Sequence, residues 1–259
     1  MKAADFTLAP SASLAEAMRS ASAPGARLMG GGQSLGPMLN LRLTQPATIV
    51  PVARLAELGG VSETASSITI GAAVTHAAIE DGRTPDLAGG LLASVARHIA
   101  YRAVRNRGTI GGSLCHADPA ADWVTVLMAL DATALIAGSS GTTEMKVADF
   151  VRGAFQVALA PGEVLQAVRI ARPGLAARWG YCKSCRKPGE FAHAMAAVLL
   201  DGTTRRAVIG ATGGRPVLLT GDDVRPHSVA PALQDSGLDP VVIHMQSVAL
   251  RRALERAAA

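Results

Sequence analysis

The sequence is poor in aromatic residues and lysine, and it has no long apolar run. Aromatic side chains make up 3% of 259 residues, and the 25 basic residues, 21 of them arginine, are spread along the chain. Nucleic-acid-binding proteins usually cluster basic residues and add aromatic side chains that stack on bases, so we expect no nucleic-acid partner. No apolar run approaches the roughly 18–20 residues that cross a bilayer. Residues 1–6 also lack the charged-then-apolar order of a signal peptide, so we expect a cytoplasmic protein without a transmembrane segment.

Cysteine is scarce as well, with three residues at Cys115, Cys182 and Cys185. The last two have Cys-x-x-Cys spacing, which is typical of a redox pair or of half a metal site. A structural zinc site needs four ligands and an iron–sulfur cluster usually needs four thiolates, and no second pair is present. A metal held by His116, Asp118 and Asp122 is the other possibility, but Asp118 can serve as a helix cap. We therefore expect reduced thiols and no metal ion on this chain.

The usual signatures of nucleotide binding and of nucleophilic hydrolysis are also missing. Gly30 and Gly32 begin a Gly-x-Gly-x-x-Gly pattern, but Leu35 occupies the sixth place. There is no Gly-Lys-Ser/Thr of a phosphate-binding P-loop and no Gly-x-Ser-x-Gly turn. With 49% apolar and 17% charged residues the chain is expected to be globular. Its net charge of +5 suits a phosphate-bearing cofactor or an acidic protein partner.

Two glycine stretches remain as the candidate binding elements. The first, Met29–Leu43, has three consecutive glycines after a strand-like step. Glycine permits positive φ and a close approach of the backbone, and a run of oriented amides binds anions, phosphates above all. A tight turn between core elements is the alternative. The second stretch, residues 106–114, follows an apolar helix and supports the phosphate interpretation because one pyrophosphate could contact both loops.

The pattern of apolar residues and breaks predicts three units, 1–52, 53–173 and 174–259. A helix over residues 13–22, capped by Ser13, precedes the first glycine stretch. Asp118-Pro119 is a typical helix start, so we expect a helix to Leu130 with Asp122 one turn after Asp118 on the same face. The last unit is expected to contain three strands and two helices. The predicted strands are 27–29, 48–52, 66–71, 132–137, 163–170, 177–183, 191–200 and 205–212, and the other predicted helices are 75–80, 87–100, 228–236 and 241–257.

Together, these motifs resemble the FAD-binding medium subunit of molybdenum hydroxylases, the group of the carbon monoxide dehydrogenase and xanthine dehydrogenase flavin subunits. The resemblance rests on Gly-Gly-Gln-Ser-Leu after Gly30 and on the run from Val104 to Asp122. It extends over nearly the whole chain, including Pro161–Leu165 and the Tyr-x-Lys-x-x-Arg-Lys-x-Gly-Glu-Phe-Ala run from Tyr181. It departs from the family at Lys187 and Glu190, where Arg and Asp are usual.

The resemblance implies an α+β fold of the vanillyl-alcohol-oxidase (PCMH) type. Two α+β subdomains would hold FAD, followed by a C-terminal three-stranded antiparallel sheet with helices. Gly30–Leu35 and Thr109–Ser113 would hold the pyrophosphate through backbone N–H groups, helped by the Ser34 and Ser113 hydroxyls. Asp122 would accept from sugar and ribityl hydroxyls, and Lys183 would lie near the flavin ring. The candidate cofactor-binding residues are Met29, Gly30, Gly31, Gly32, Gln33, Ser34, Leu35, Thr109, Ile110, Gly111, Gly112, Ser113, Asp118, Asp122 and Lys183.

The family also implies a role in a larger complex, because this chain has neither a [2Fe–2S] thiolate set nor a molybdopterin domain. A large subunit would carry the molybdenum cofactor and a small subunit the [2Fe–2S] clusters, arranged as a dimer of heterotrimers. FAD on this chain would pass electrons to NAD, oxygen or another acceptor, and no side chain would act as a catalytic acid or base. The alternatives are a stand-alone flavin oxidoreductase and a scaffold subunit without a cofactor.

Overall fold

A computed structural model describes residues 2–259. Its first sheet is parallel, with strand order β1-β3-β2, and β2 leads directly into the first glycine stretch. The Ser13 hydroxyl accepts from the amide of Glu16, so the predicted cap of the first helix is confirmed. The elements of this part are β1 (Thr7–Leu8), α1 (Leu14–Ala21), β2 (Ala26–Met29), α2 (Leu35–Asn40), β3 (Thr48–Pro51) and α3 (Ala56–Gly59).

The second part is built on a five-stranded antiparallel sheet with strand order β4-β5-β10-β6-β7. In chain order, five of its helices lie between the second and third strands of this part and include residues 110–114 of the second glycine stretch, and a sixth helix follows the fourth strand. The elements are β4 (Val61–Glu63), β5 (Ser67–Gly71), α4 (His76–Glu80), α5 (Leu91–Arg97), α6 (Arg102–Arg105), α7 (Ile110–His116), α8 (Asp122–Ala129), β6 (Thr133–Gly138), β7 (Gly141–Lys146), α9 (Val147–Phe150), β8 (Val151–Gly153), β9 (Gln156–Val157) and β10 (Val164–Ala171).

The predicted helix start at Asp118-Pro119 is wrong. Helix α7 covers residues 110–116, which include the second half of the second glycine stretch, and Ala117 after it has a φ of +49° that turns the chain out of the helix. Asp118 then accepts from the amide of Ala120 in a turn, and α8 begins only at Asp122. Asp118 and Asp122 are therefore not neighbours on one helical face. The helix predicted over 87–100 is also shorter, because α5 covers only residues 91–97.

The third part has four antiparallel strands, where three were predicted. The missed strand is short, and its residues 217–220 pair with the strand over residues 204–210. The helix predicted over 228–236 is reduced to a single turn, whereas the long final helix is confirmed. The elements are β11 (Arg178–Ser184), β12 (Ala194–Asp201), β13 (Thr204–Gly210), β14 (Val217–Thr220), two 3₁₀ turns (Gly221–Asp223 and Pro226–Ser228), α10 (Val229–Ala232) and α11 (Pro240–Ala258).

Helices cover both faces of this third sheet. Alternate residues of a strand point to opposite faces, and Tyr181 belongs to the core that contains Trp123 of α8, whereas Cys182 packs with Leu250 of α11. Helix α11 approaches closely at Gly180, where an added methyl group would lie 1.8 Å from the carbonyl oxygen of Ala253. The sheet therefore directs the odd-numbered residues of β11 towards the start of α8.

Candidate functional site

The two glycine stretches lie against each other. A methyl group added at Gly31 would lie 1.8 Å from the carbonyl oxygen of Arg107 and 2.8 Å from Cα of Gly108. One added at Gly30 would lie 3.0 Å from the hydroxyl of Thr109. Real Cβ atoms do not come within 3 Å of backbone atoms, so only glycine at position 31 permits this contact. The structure thus brings together two loops that are 76 residues apart in the chain.

The first glycine stretch presents a series of free amides. Among the described residues, no acceptor receives a hydrogen bond from the N–H groups of residues 30–34. The Gly31 carbonyl accepts from Gln33 Nε2 at 3.1 Å and from Arg107 Nε at 3.5 Å, which fixes the orientation of this peptide unit. Gly32 has φ of +70°, which glycine adopts without strain. Gly31 is buried and its amide has no acceptor among the described residues, so this loop has a backbone donor available for an anion.

The second stretch contributes differently from the expectation. Thr109 caps α7, and its hydroxyl accepts from the amide of Gly112 at 3.0 Å. The amides of the neighbouring positions also have acceptors within the chain, with Ile110 donating to Val74, Gly111 to Ala72 and Ser113 to Thr109. An added methyl group at Gly111 would lie 2.4 Å from Cβ of Ala72, so this glycine serves close packing. Among residues 2–259, the backbone amide of Thr109 and the hydroxyl of Ser113 have no hydrogen-bond partner, so these two donors of the stretch are left free.

His76 and Trp123 form a hydrogen-bonded pair beside the second stretch, and no local pattern predicted this pair. The indole Nε1 of Trp123 donates to Nδ1 of His76 at 3.0 Å, and the backbone amide of His76 donates to the carbonyl of Gly108. Burial of the imidazole, followed by the charge of Arg105, lowers the pKa of His76 to about 4. The imidazole is therefore neutral near pH 7, and Nδ1 is its acceptor nitrogen.

Asp122 lies at the centre of a buried network. Its Oδ1 accepts from the Tyr181 hydroxyl at 2.6 Å, and Nζ of Lys183 lies 3.1 Å from each carboxylate oxygen. Lys183 also donates to the carbonyl of His98 at 3.2 Å. The side chains of Lys183 and Asp122 are 4% and 5% exposed, so the ion pair is largely withdrawn from water. Two of the predicted site residues are thus direct partners, a contact that the sequence did not predict.

Lys183 also lines a cavity of about 320 Å³ between the helices that precede the second glycine stretch and the β11–β12 connection. Four cationic side chains face it, those of Arg97, Arg102, Arg105 and Lys183. Arg102 is paired with Asp81 and Glu80, Arg105 is paired with Glu80, and the hydrogen bond from Arg105 lowers the pKa of the Glu80 carboxyl group. Lys183 is paired with Asp122, so of the four only Arg97 has no carboxylate partner among the described residues. The cavity therefore retains a positive balance next to the buried ion pair.

The Cys-x-x-Cys pair is divided between two environments. Cys182 packs under α11, and burial raises the pKa of its thiol, whereas Cys185 faces the cavity. Burial also raises the pKa of Cys115 to about 12. All three are free thiols. Within residues 2–259, no group of three or more His, Cys, Asp or Glu side chains is placed to hold a metal ion.

A loop of free backbone amides, packed against a second glycine stretch, is the kind of site that binds the phosphates of a cofactor. Comparison with known proteins identifies the class. Residues 4–173 match the family model of the FAD-binding domain in molybdopterin dehydrogenase. The carbon monoxide dehydrogenase medium chain of Afipia carboxidovorans is 31% identical over 90% of this chain and 89% of its own length. The 6-hydroxypseudooxynicotine dehydrogenase complex subunit alpha of Paenarthrobacter nicotinovorans is 31% identical over 92% and 85%.

Solved structures agree with these relatives. Quinoline 2-oxidoreductase from Pseudomonas putida 86 matches with a TM-score of 0.85 and 33% identity over 100% of this chain and 98% of its own. Carbon monoxide dehydrogenase from Hydrogenophaga pseudoflava matches with a TM-score of 0.87 and 28% identity over 100% and 99%. The chain belongs to the family of FAD-binding subunits of molybdopterin dehydrogenases. The predicted family, FAD cofactor and oxidoreductase class are confirmed.

Proposed function

We propose that the first glycine loop holds the pyrophosphate of FAD through the amides of residues 30–34. The observation that carries this proposal is the run of five amides without acceptors in the described chain, next to a glycine contact that a Cβ would fill. The free hydroxyls of Ser34 and Ser113 add donors on either side. Met29 and Leu35 flank the loop as the end of β2 and the start of α2. The residues present therefore fit the cofactor.

The second glycine stretch has a mainly steric role in this proposal. Its amides at Ile110, Gly111 and Gly112 are used within the chain, so we assign it the wall against which the first loop packs. Asp118, half-buried in the turn before α8, is assigned to the cofactor side of that wall. Asp122 and Lys183 are assigned to the flavin end, where the buried ammonium group favours negative charge on a ligand.

FAD supplies a centre that handles both one- and two-electron steps. We propose that this chain positions it between the iron–sulfur clusters of a small subunit and an external acceptor, while a large subunit with the molybdenum cofactor oxidises the substrate. The assembly is proposed to be a dimer of heterotrimers in the cytoplasm. No helix within the described residues is long and apolar enough to cross a membrane. The protein's own contribution is binding, orientation and electrostatics.

We further propose the PCMH-type arrangement, with FAD-binding subdomains over residues 1–52 and 53–173 and a C-terminal domain over 174–259. Each of the three larger sheets lies within one of these ranges. The first two ranges share a small core in which Val50 and Val52 pack with Leu58, Ala73 and Val164. This shared core supports a fixed position of the first glycine loop relative to the second.

A pair of glycine substitutions tests the loop assignment. Gly31→Ala places a methyl group on the Arg107 carbonyl, so the loop must move and the amides no longer converge. Gly36→Ala, five residues later, adds its methyl group where nothing lies within 4 Å, and it is expected to keep FAD. FAD released by denaturation is counted per chain in the purified complex, and circular dichroism checks folding. A folded Gly31→Ala protein with full FAD content would contradict the assignment.

A further inference from the structure

Tyr181 makes a buried hydrogen bond that the proposed function leaves unexplained. Its side chain lies in the core between β11 and α8, and the residue is 5% exposed. The hydroxyl lies 2.6 Å from Oδ1 of Asp122. Burial, followed by the charge of Asp122, raises the pKa of Tyr181 well above its ordinary value. The hydroxyl therefore keeps its proton and donates a hydrogen bond to the carboxylate.

Lys183 shares this carboxylate with Tyr181. The two residues lie on the same face of β11 because they are two positions apart. Nζ of Lys183 is equidistant from both Asp122 oxygens, at 3.1 Å, and a third contact to the His98 carbonyl at 3.2 Å holds it from the other side. A carboxylate bound by two different donors has little freedom to turn. The position of the ammonium group thus depends on the orientation of Asp122, and that orientation depends on Tyr181.

We propose that Tyr181 is a positioning residue that acts through Asp122 to set the place and the effective charge of the Lys183 ammonium group, and thereby the reduction potential of the bound flavin. This inference rests on the proposed function, which assigns Lys183 to the flavin end of the site. Tyr181 makes no side-chain hydrogen bond to Lys183, and both side chains donate to Oδ1 of Asp122. Its effect is transmitted by a single carboxylate.

The direction of the effect follows from charge. A hydrogen bond from the hydroxyl offsets part of the negative charge of Asp122, which leaves more of the Lys183 charge uncompensated. Reduction adds electrons to the flavin, and a fixed nearby cation favours the reduced form in a site withdrawn from water. Without the hydroxyl, Asp122 neutralises Lys183 more fully and can turn. Both changes disfavour the reduced flavin and lower its potential.

Tyr181→Phe is the test, because phenylalanine fills the same space and removes only the hydroxyl. At a fixed ambient potential we expect the ratio of reduced to oxidised flavin to fall about tenfold, equivalent to roughly 30 mV for a two-electron couple. Tyr101→Phe is the matched control. Tyr101 is the other tyrosine of the chain and lines the same cavity, but it is 63% exposed and its hydroxyl has no partner among the described residues. Its loss is expected to leave the potential unchanged.

Asp122→Asn is expected to shift the reduction potential of the flavin in the opposite direction, and it tests the inference if Tyr181→Phe does not fold. It removes the charge that offsets Lys183, so the potential is expected to rise. The potentials are measured by redox titration of the flavin in the purified complex, after FAD has been counted. Wild-type protein without FAD would overturn the proposed function and this inference with it. Wild-type protein with FAD, combined with equal potentials for wild type and Tyr181→Phe or a fall in Asp122→Asn, would overturn the inference alone.

Discussion

The buried pair of His76 and Trp123 predicts a specific loss of stability in mild acid. The pKa of His76 is lowered from 6.5 to about 4, mainly by burial and also by Arg105. When the pH falls below the ordinary value, the unfolded chain takes up a proton that the folded chain does not. The associated stability is therefore fully present above about pH 6.5 and is lost progressively towards pH 4. The difference between the two pKa values sets the full loss at roughly 3 kcal/mol.

Part of this loss in the free energy of unfolding can be measured at pH values above the range in which most carboxyl groups titrate. Between about pH 7.5 and 5.5, linkage predicts a loss of roughly 1.4 kcal/mol from His76 alone. Urea unfolding of the chain at both pH values measures the free energy of unfolding for wild type and for His76→Asn, whose amide oxygen can replace Nδ1 as the acceptor for Trp123 Nε1. The difference between the two pH values is expected to be about 1.4 kcal/mol smaller in the variant.

The control for this experiment is His193→Gln, which replaces an exposed histidine and leaves the His76 pair intact. It is expected to retain the wild-type dependence on pH. His116, whose pKa is also lowered by burial, is present in all three proteins and cancels in the comparison. If wild type and His76→Asn lose equal stability between the two pH values, the imidazole is not held neutral by its surroundings and the reasoning fails.

Two further predictions concern the packing of α11 on the third sheet. Gly180→Ala places a methyl group 1.8 Å from the Ala253 carbonyl oxygen, so the free energy of unfolding should fall by about 3 kcal/mol. Gly214→Ala is its control, because the added methyl group meets open space and the free energy of unfolding should fall by less than about 0.5 kcal/mol. Gln246→Leu removes the partners of the Met195 amide and of the Gly210 and Ala211 carbonyls, and should cost about 3 kcal/mol. Exposed Gln234→Leu is its control. Urea unfolding measures all four, and equal stabilities within either pair would contradict the packing described.

Local features of the fold were predictable because their causes lie within a few residues. Ser13 and Glu16 mark the start of α1, and Thr75 caps the helix that begins at His76. The fourth strand of the last sheet was missed because its four residues carry too little alternation, and its pairing with β13 decides its conformation. Asp118-Pro119 is a strong local signal for a helix start. Tertiary contacts override this local preference, because the Pro119 carbonyl accepts a hydrogen bond from the amide of Ala211.

In the candidate site too, the features with local causes were predictable and the contacts between distant residues were not. The glycine stretches were recognisable because three glycines in a row have few other uses, but the contact between Gly31 and Arg107 joins residues 76 positions apart. The hydrogen bonds of Asp122 with Tyr181 and Lys183 join residues that are 59 and 61 positions apart in the chain. No local pattern encodes such a distance. The strand period did place Tyr181 and Lys183 on one face, and that was the available signal for the network.

The most direct test of the central claim is to purify the chain from its native cells with an affinity tag and to measure FAD, iron and molybdenum together. One FAD is expected for each copy of this chain, together with two partner chains, a larger one that carries molybdenum and a smaller one that carries iron. The Gly31→Ala protein should assemble without full FAD. A complex that contains this chain in folded form but holds no FAD would contradict the account.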